Sequence, residues 1–209
     1  CVAVLGWLFV AGAFLGDVVE TIFCRSTAWV WMSRSSLVWG PFSVVWGLAL
    51  VLATVLQRGS ERKSESRIFW FGVILGGAYE YVCSAVTELL FGTVFWDYSG
   101  FKFNLGGRIN LLYCFFWGIA AVAWIRYGYP LVAKGMNKLK THIRPWMTAA
   151  LAVFMALNMG VSALAMARYD ARTSGVEAAT PLAVFLDAHF DNARMERIYP
   201  NAKKVEKAE

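Results

Sequence analysis

The sequence predicts an all-α integral membrane protein with about five transmembrane helices, and two observations support this class. Of the 209 residues, 58% are hydrophobic and only 16% are charged, whereas soluble domains carry about 25% charged residues. The apolar residues also form continuous runs of about 20 residues, the length that crosses ~30 Å of hydrocarbon as a helix. Continuous runs favour helices over a barrel, whose strands alternate apolar and polar residues. The predicted spans are Val4–Trp29, Leu37–Leu56, Ile68–Phe91, Ile109–Ile125 and Trp146–Ala167.

The first and third spans carry the same stripe of two glycines and a glutamate, spaced four residues apart. The two stripes are Gly12, Gly16 and Glu20, and Gly72, Gly76 and Glu80. Residues four apart share one face of a helix, and small residues at this spacing let membrane helices approach closely. A Trp-Gly pair also recurs in the second and fourth spans, at Trp46-Gly47 and at Trp117-Gly118. We therefore predict a duplicated two-helix unit.

The predicted domain organisation is a membrane bundle followed by a tail. The bundle comprises residues 1–167, with repeat units at about 4–56 and 68–125 and a last span at 146–167. Two crossings per copy would relate the copies by a rough two-fold axis along the membrane normal. Because Cys1 already lies within apolar sequence, we also expect a segment before it.

The tail, residues 168–209, is predicted to lie outside the membrane and to contain one amphipathic surface helix at about 180–198. Thr180-Pro181 is typical of a helix start, since proline is favoured at the first helical position. Apolar residues follow at roughly helical spacing, which indicates a helix on the membrane surface or over the outer loops. The charged end, residues 203–209, is expected to be disordered.

Basic residues predict the orientation. Loops 57–67 and 127–145 both follow even-numbered spans and are both rich in lysine and arginine, so they are predicted to be cytoplasmic. Loops 30–36 and 92–108 are then extracytoplasmic. The tail is also basic but would end outside, which conflicts with the rule. A sixth crossing or a re-entrant piece would resolve that conflict.

Acidic and polar residues near the outer ends of the helices are the candidate site. Carboxylates within membrane spans are costly and therefore mark functional positions. Two facing carboxylates would share a proton or bind a cation, although a structural hydrogen bond to a neighbouring helix is the alternative. Asp17 lies three residues before Glu20 and could join them. The predicted ligand-binding residues are Glu20, Glu80, Glu88, Asp97, Asn104 and Arg108.

The aromatic rings between Phe95 and Phe103 are also what a membrane interface attracts, so aromatic anchoring is the alternative interpretation of that segment.

Several other chemistries are not indicated. The sequence has no Gly-x-x-x-x-Gly-Lys-Ser/Thr phosphate loop, and its histidines, His142 and His189, fall outside the spans. The four cysteines lack metal-ligand spacing, so no metal site is predicted. The net charge of +6 is read as a topology signal, not as a sign of nucleic-acid binding. No cofactor can be named.

One segment carries a family resemblance. The chain contains Trp96-Asp97-Tyr98-Ser99, followed by Phe103-Asn104-Leu105 and Gly107-Arg108-Ile109, together with Gly40-Pro41-Phe42 and the glutamates Glu20, Glu80 and Glu88. These motifs, and a tail with Leu186-Asp187 and Tyr199-Pro200-Asn201, resemble the bacterial membrane family known as type IV ABC-transporter permeases. The resemblance extends over nearly the whole chain. It implies a multi-pass bacterial plasma-membrane protein but supplies no substrate.

Three hypotheses about function follow. The first is a transport-related membrane component, an ABC-type permease or solute-binding subunit, with an outward pocket for a polar or cationic solute. Its partners would be the lipid bilayer and a separate ATPase or a second copy. The second is a membrane-embedded enzyme that uses the same carboxylates on a lipid-linked or cell-envelope substrate. The third is a sensor or assembly subunit that interacts through its tail. The sequence favours transport over catalysis.

Overall fold

The computed structural model describes residues 2–56, 59, 62–139 and 142–205. Within these residues, four helices are long and apolar enough to cross a membrane by length and composition. They are Ala3–Ala28, Glu65–Phe91, Leu111–Gly135 and Pro145–Thr173. The structure is thus mostly helical, and the prediction of an all-α membrane protein is confirmed. The remaining predicted span contains a shorter apolar helix, Val44–Leu56.

The helices follow in simple order, and the strands are short pairs at one end of the bundle. The helices are α1 (Val2–Ala28), α2 (Val44–Leu56), α3 (Glu65–Phe91), α4 (Leu111–Ala123), α5 (Tyr129–Leu139), α6 (Pro145–Thr173), α7 (Pro181–His189) and α8 (Asn192–Ile198). The strands are β1 (Thr93–Val94), β2 (Asn104–Leu105), β3 (Ile109–Asn110) and β4 (Lys203–Lys204). Strand β1 pairs with β4 and β2 pairs with β3, both antiparallel.

A single π-helical turn, Trp124–Gly128, joins α4 to α5. The Tyr129 N–H bonds to the Trp124 carbonyl, five residues back. Pro130 follows directly, and a proline ring within a helix clashes with the carbonyl four residues earlier. A π-helical turn is wider than an α-helical turn, so the carbonyl four residues before Pro130 can move away from the proline ring. The prediction of a loop over 127–145 is therefore wrong in its first part, because the helix continues to Leu139.

The two hairpins α1–α2 and α3–α4 are built on the same close contacts. A Cβ atom on Gly16 would lie 2.2 Å from the Trp46 Cβ, and one on Gly76 would lie 2.3 Å from the Trp117 Cβ. The glycine that directly follows each of these tryptophans packs against a phenylalanine of the first helix in its hairpin. Because only hydrogen fits at these positions, the helices of each hairpin approach closely. The predicted repeat boundaries themselves remain a prediction.

Residues 29–43 return into the bundle as non-helical chain. The Ser43 N–H donates to the Ala13 carbonyl at 2.9 Å, which places this segment beside the middle of α1. The prediction of a helix from Leu37 is wrong, because α2 begins only at Val44. Gly40 has a φ of 83° and precedes Pro41, and a residue before proline avoids the helical conformation. We call residues 29–43 the re-entrant segment.

Two polar residues of α6 satisfy the backbone of the re-entrant segment. The Ser162 hydroxyl accepts from the Val38 N–H at 2.9 Å. The Asn158 side chain accepts from the Trp39 N–H at 3.2 Å and donates to the Trp39 carbonyl at 2.7 Å. Asn158 is 0% exposed. Non-helical backbone at membrane depth is tolerated only where protein or water satisfies it, so these two side chains allow the segment to lie there.

The tail packs on the same end as the re-entrant segment, as two helices. The single helix predicted at 180–198 is wrong, because Phe190 adopts a φ of −130° and Asp191 caps a second helix. The Tyr199 hydroxyl donates to the Ser36 carbonyl at 3.0 Å. One apolar cluster joins tail, α6 and re-entrant segment: Val38, Ala165, Met166, Leu186, Phe190, Met195 and Tyr199. The charged end, residues 203–209, is predicted to be disordered, but Lys203–Lys204 form strand β4 and pair with β1. Residues 206–209 lie outside the described residues.

The glycine contacts predict a large difference between substitutions within α1. Gly16→Ala, and likewise Gly76→Ala in α3, should lower the free energy of unfolding by about 1–3 kcal/mol, because the added methyl group overlaps a tryptophan and forces the hairpin apart. Gly6→Ala is the matched control, since nothing lies within 4 Å of its Cβ position. Denaturant unfolding in detergent measures all three, and equal stability of G6A and G16A would contradict the packing.

The α6 contacts predict that Asn158→Ala destabilises the protein by about 1–3 kcal/mol for each buried backbone group left unpaired. The two groups are the N–H and carbonyl of Trp39. Asn192→Ala removes one exposed hydrogen bond, from the Arg172 Nε, and leaves no buried group unpaired, so it should cost less than Asn158→Ala. Thermal melts of the two variants, compared with the unchanged protein, would refute the assignment if both shifted equally.

Candidate functional site

Glu20 is held by an arginine and a tryptophan. Arg34, on the re-entrant segment, donates to its Oε1 from Nε at 2.8 Å and from Nη2 at 2.5 Å. The Trp46 indole of α2 donates to its Oε2 at 2.8 Å. Both carboxylate oxygens therefore accept hydrogen bonds from the protein, and the charge of Glu20 is paired with that of Arg34.

Glu80 occupies the corresponding place in the second hairpin but has neutral partners. The Tyr98 hydroxyl donates to its Oε1 at 2.7 Å, and the Trp117 indole of α4 donates to its Oε2 at 3.0 Å. Glu80 is 7% exposed. The loop after α3 thus supplies a phenol where the re-entrant segment supplies a guanidinium.

The two indoles bring the carboxylates into one cluster. The rings of Trp46 and Trp117 lie 5.1 Å apart between their centroids, at an interplanar angle of 36°. Each indole bonds to the glutamate of its own hairpin. The tryptophan pair thus links Glu20 to Glu80; that the two carboxylates bind a ligand remains a prediction. The Tyr79 hydroxyl adds a second link by donating to the Val45 carbonyl of α2 at 2.7 Å.

Glu88 and Arg108 form a separate ion pair further along α3. One guanidinium nitrogen of Arg108 contacts the Glu88 carboxylate, and another donates to the Ser84 hydroxyl at 3.2 Å. The guanidinium also lies over the Tyr81 ring, 5.6 Å from its centroid. Arg108 therefore pairs with the Glu88 carboxylate through one guanidinium nitrogen, while a second nitrogen bonds to the Ser84 hydroxyl.

Asp97 and Asn104 shape the loop between α3 and α4. The Asp97 Oδ1 accepts from the Ser99 backbone N–H at 2.9 Å, and this bond lowers the pKa of Asp97, helped by the Lys203 ammonium 3.4 Å from Oδ2. The Asn104 amide donates to the Phe101 carbonyl at 2.7 Å and accepts from the Gly107 N–H at 3.0 Å. Both side chains act on backbone within the loop.

A cavity of about 470 Å³ lies at the same end, between α1, the re-entrant segment and the tail. Its lining includes Asp17, Thr21, Trp31, Ser33, Ser35 and Ile198. None of the six predicted ligand-binding side chains lines it. The acidic residue in its wall is Asp17, which lies three residues before Glu20 in the sequence.

The tail is fixed at this end by charge. Asp187 accepts from Arg168 at both carboxylate oxygens, at 2.8 and 2.7 Å, and also contacts Arg172. The Arg168 hydrogen bonds hold the pKa of Asp187 below its usual range, with a further contribution from Arg172. Because Ile198 of the tail lines the cavity, these contacts also fix one of its walls.

Sequence reasoning missed most of the partners. Arg34 lies in a loop whose course no periodicity predicts, and the recurring tryptophans indicate the repeat but not their hydrogen bonds to the glutamates. The signal was available for Asn158 and Ser162, two polar residues four apart in an apolar run, and hence on one helix face. Among the described residues, no group of three or more His, Cys, Asp or Glu side chains could hold a metal ion.

A family model described as "Putative ABC-transporter type IV" matches residues 7–163. The chain belongs to this family. The match includes α1 to α4, both carboxylates of the indole cluster and most of α6, so this family member is a transport-related membrane component. The tail motifs that contributed to the resemblance lie beyond residue 163. No curated protein and no solved structure gives a significant match.

The Glu80 contacts predict that the Tyr98 hydroxyl contributes more to the free energy of unfolding than the hydroxyl of the neighbouring Tyr113. Tyr98→Phe should lower the free energy of unfolding by about 1–3 kcal/mol, because it removes a donor from the buried Glu80 carboxylate. Tyr113→Phe is the control: its ring stacks on Tyr98 at 4.7 Å. Within the described part of the chain, its hydroxyl makes no hydrogen bond. Equal losses in the two variants, measured by denaturant unfolding, would argue against the Glu80 contact.

Proposed function

We propose that this chain is the membrane-spanning permease component of an ABC-type transport system in the bacterial plasma membrane. The observation that carries the proposal is the family match over residues 7–163, combined with acidic groups held at one end of a bundle of apolar helices. Polar groups within membrane spans mark solute and ion pathways in many transporters. The solute is polar or cationic, and it enters at the end that carries the re-entrant segment.

In this proposal the six predicted ligand-binding residues build the frame of the binding end. Glu20 and Glu80 join the hairpins through the tryptophan pair, and Glu88 with Arg108 ties α3 to the following loop. Both oxygens of Glu20 and both oxygens of Glu80 already accept hydrogen bonds from protein donors, and Glu88 is paired with Arg108. That occupancy supports a framing role and gives less support to a general acid and base pair, which needs a carboxylate within reach of substrate.

The opposite end is proposed to be cytoplasmic and to receive an ATPase. Two basic segments come together there, because an Arg126 guanidinium nitrogen donates to the Lys63 carbonyl at 2.5 Å. Helix α5 adds Lys134 and Lys138, which share a face at spacing four. Positive charge favours the cytoplasmic side and attracts an acidic partner surface. Of the predicted basic residues, Arg58 and Lys140 lie outside the described residues.

Co-purification tests this proposal. The full chain, tagged and expressed in a bacterial host that carries its natural genetic neighbourhood, should retain an ATPase subunit. Lys134→Glu with Lys138→Glu should reduce the retained ATPase at least about fivefold, because reversed charge repels an acidic docking surface. Lys102→Glu is the control, since Lys102 is exposed in the loop at the other end.

The expected readout is ATP hydrolysis by the purified complex together with its subunit stoichiometry. If no ATPase is retained, or if K102E and the double variant lose it equally, the proposed partner and its docking end are wrong.

A further inference from the structure

Asp17 is a buried carboxylate that lacks a partner. It lies on α1, is 5% exposed and lines the cavity. Among the described residues, none donates a hydrogen bond to its Oδ1, which is buried. A buried polar atom without a partner costs free energy of about 1–3 kcal/mol, and more when it is charged. Such a carboxylate is stable in its charged form only if something else supplies the missing donor.

The nearby cations are already engaged. Arg34 directs both Nε and Nη2 to the Oε1 of Glu20. Arg25 contacts the Trp29 carbonyl, and its guanidinium lies over the rings of Trp29 and Trp31 at 5.6 and 5.7 Å. No ion pair within 4.0 Å joins either arginine to Asp17 in the described part of the chain. With Glu20 balanced by Arg34, the charge of an ionised Asp17 is left over.

The cavity wall indicates what would supply the donor. Ca²⁺ and Mg²⁺ take six or more oxygen ligands, and within the described part of the chain Asp17 belongs to no group of three or more His, Cys, Asp or Glu side chains that could hold a metal ion. The volume of about 470 Å³ is far larger than the ~30 Å³ share of one water molecule, so it suits an organic molecule. The polar residues Thr21 and Ser33 and the apolar Ile198 line the same space, as expected for a ligand with one polar head.

We propose that this cavity binds a protonated primary amine, whose ammonium group donates to the Asp17 carboxylate and whose alkyl part lies against Trp31, Met32 and Ile198. Trp31 is 67% exposed, so it offers apolar surface to the alkyl part. A quaternary ammonium carries the same charge but has no N–H to offer the Asp17 carboxylate. The inference rests on the proposed function only where the bound amine is taken as the transported solute.

Equilibrium binding tests the site in the full chain reconstituted in nanodiscs at neutral pH. The probe is radiolabelled butylammonium, with tetramethylammonium and sodium chloride as competitors. We expect one butylammonium per chain, competition by unlabelled butylammonium, and weak competition by the other two. Asp17→Asn should weaken binding at least tenfold. Asp191→Asn is the control, because it makes the same change at a helix cap, where asparagine is equally good.

A second variant keeps the test decisive if Asp17→Asn fails to fold. Ser33→Phe leaves Asp17 in place but fills the cavity, and it should also abolish binding. The inference is overturned if D17N binds as tightly as the unchanged chain. It is also overturned if tetramethylammonium or sodium competes as well as butylammonium, or if S33F still binds. Loss of ATPase co-purification would leave this binding intact, so the two proposals can fail separately.

Discussion

The hydrogen-bonding requirement of non-helical backbone inside a membrane bundle controls this structure. Residues 29–43 run beside α1 without helical hydrogen bonds, so their N–H and carbonyl groups need other partners. Asn158 and Ser162 supply three of them from α6. The Ser35 hydroxyl lies 2.9 Å from the carbonyls of Leu37 and Gly40, which share its one hydrogen, and accepts from the Leu37 N–H at 3.1 Å. Helix α6 therefore contributes directly to the first hairpin, because it pairs backbone groups of the segment that joins α1 to α2.

The fixed re-entrant segment also determines the surroundings of α1. It carries Arg34 to Glu20, and it carries Trp31 and Ser33 to the wall of the cavity beside Asp17. The tail then packs on the segment through the Tyr199 hydroxyl and closes one side with Ile198. The ion pair, the cavity and the position of the tail thus share one cause, which is the satisfied backbone of residues 29–43.

Sequence reasoning succeeded where a single physical rule connects pattern and structure. Glycines spaced four apart predicted the close hairpins, because close helix packing requires small residues on one face. The same reasoning failed at Leu37, since an extended apolar segment and a helix have the same composition, and only Gly40-Pro41 indicated the difference. It failed again at Phe190, where one apolar pattern continues through a break that Asp191 caps. The partners of Glu20 and Glu80 come from loops, whose course no periodicity predicts.

The two hairpins keep the same scaffold but differ in charge. Each holds a glutamate against the indole of its second helix, yet Glu20 receives a guanidinium and Glu80 receives a phenol. The first hairpin therefore holds a charged pair, and the second holds a carboxylate with two neutral donors. The charged pair belongs to the hairpin beside the cavity, where Arg34 neutralises Glu20 and leaves the charge of Asp17 for a ligand to balance.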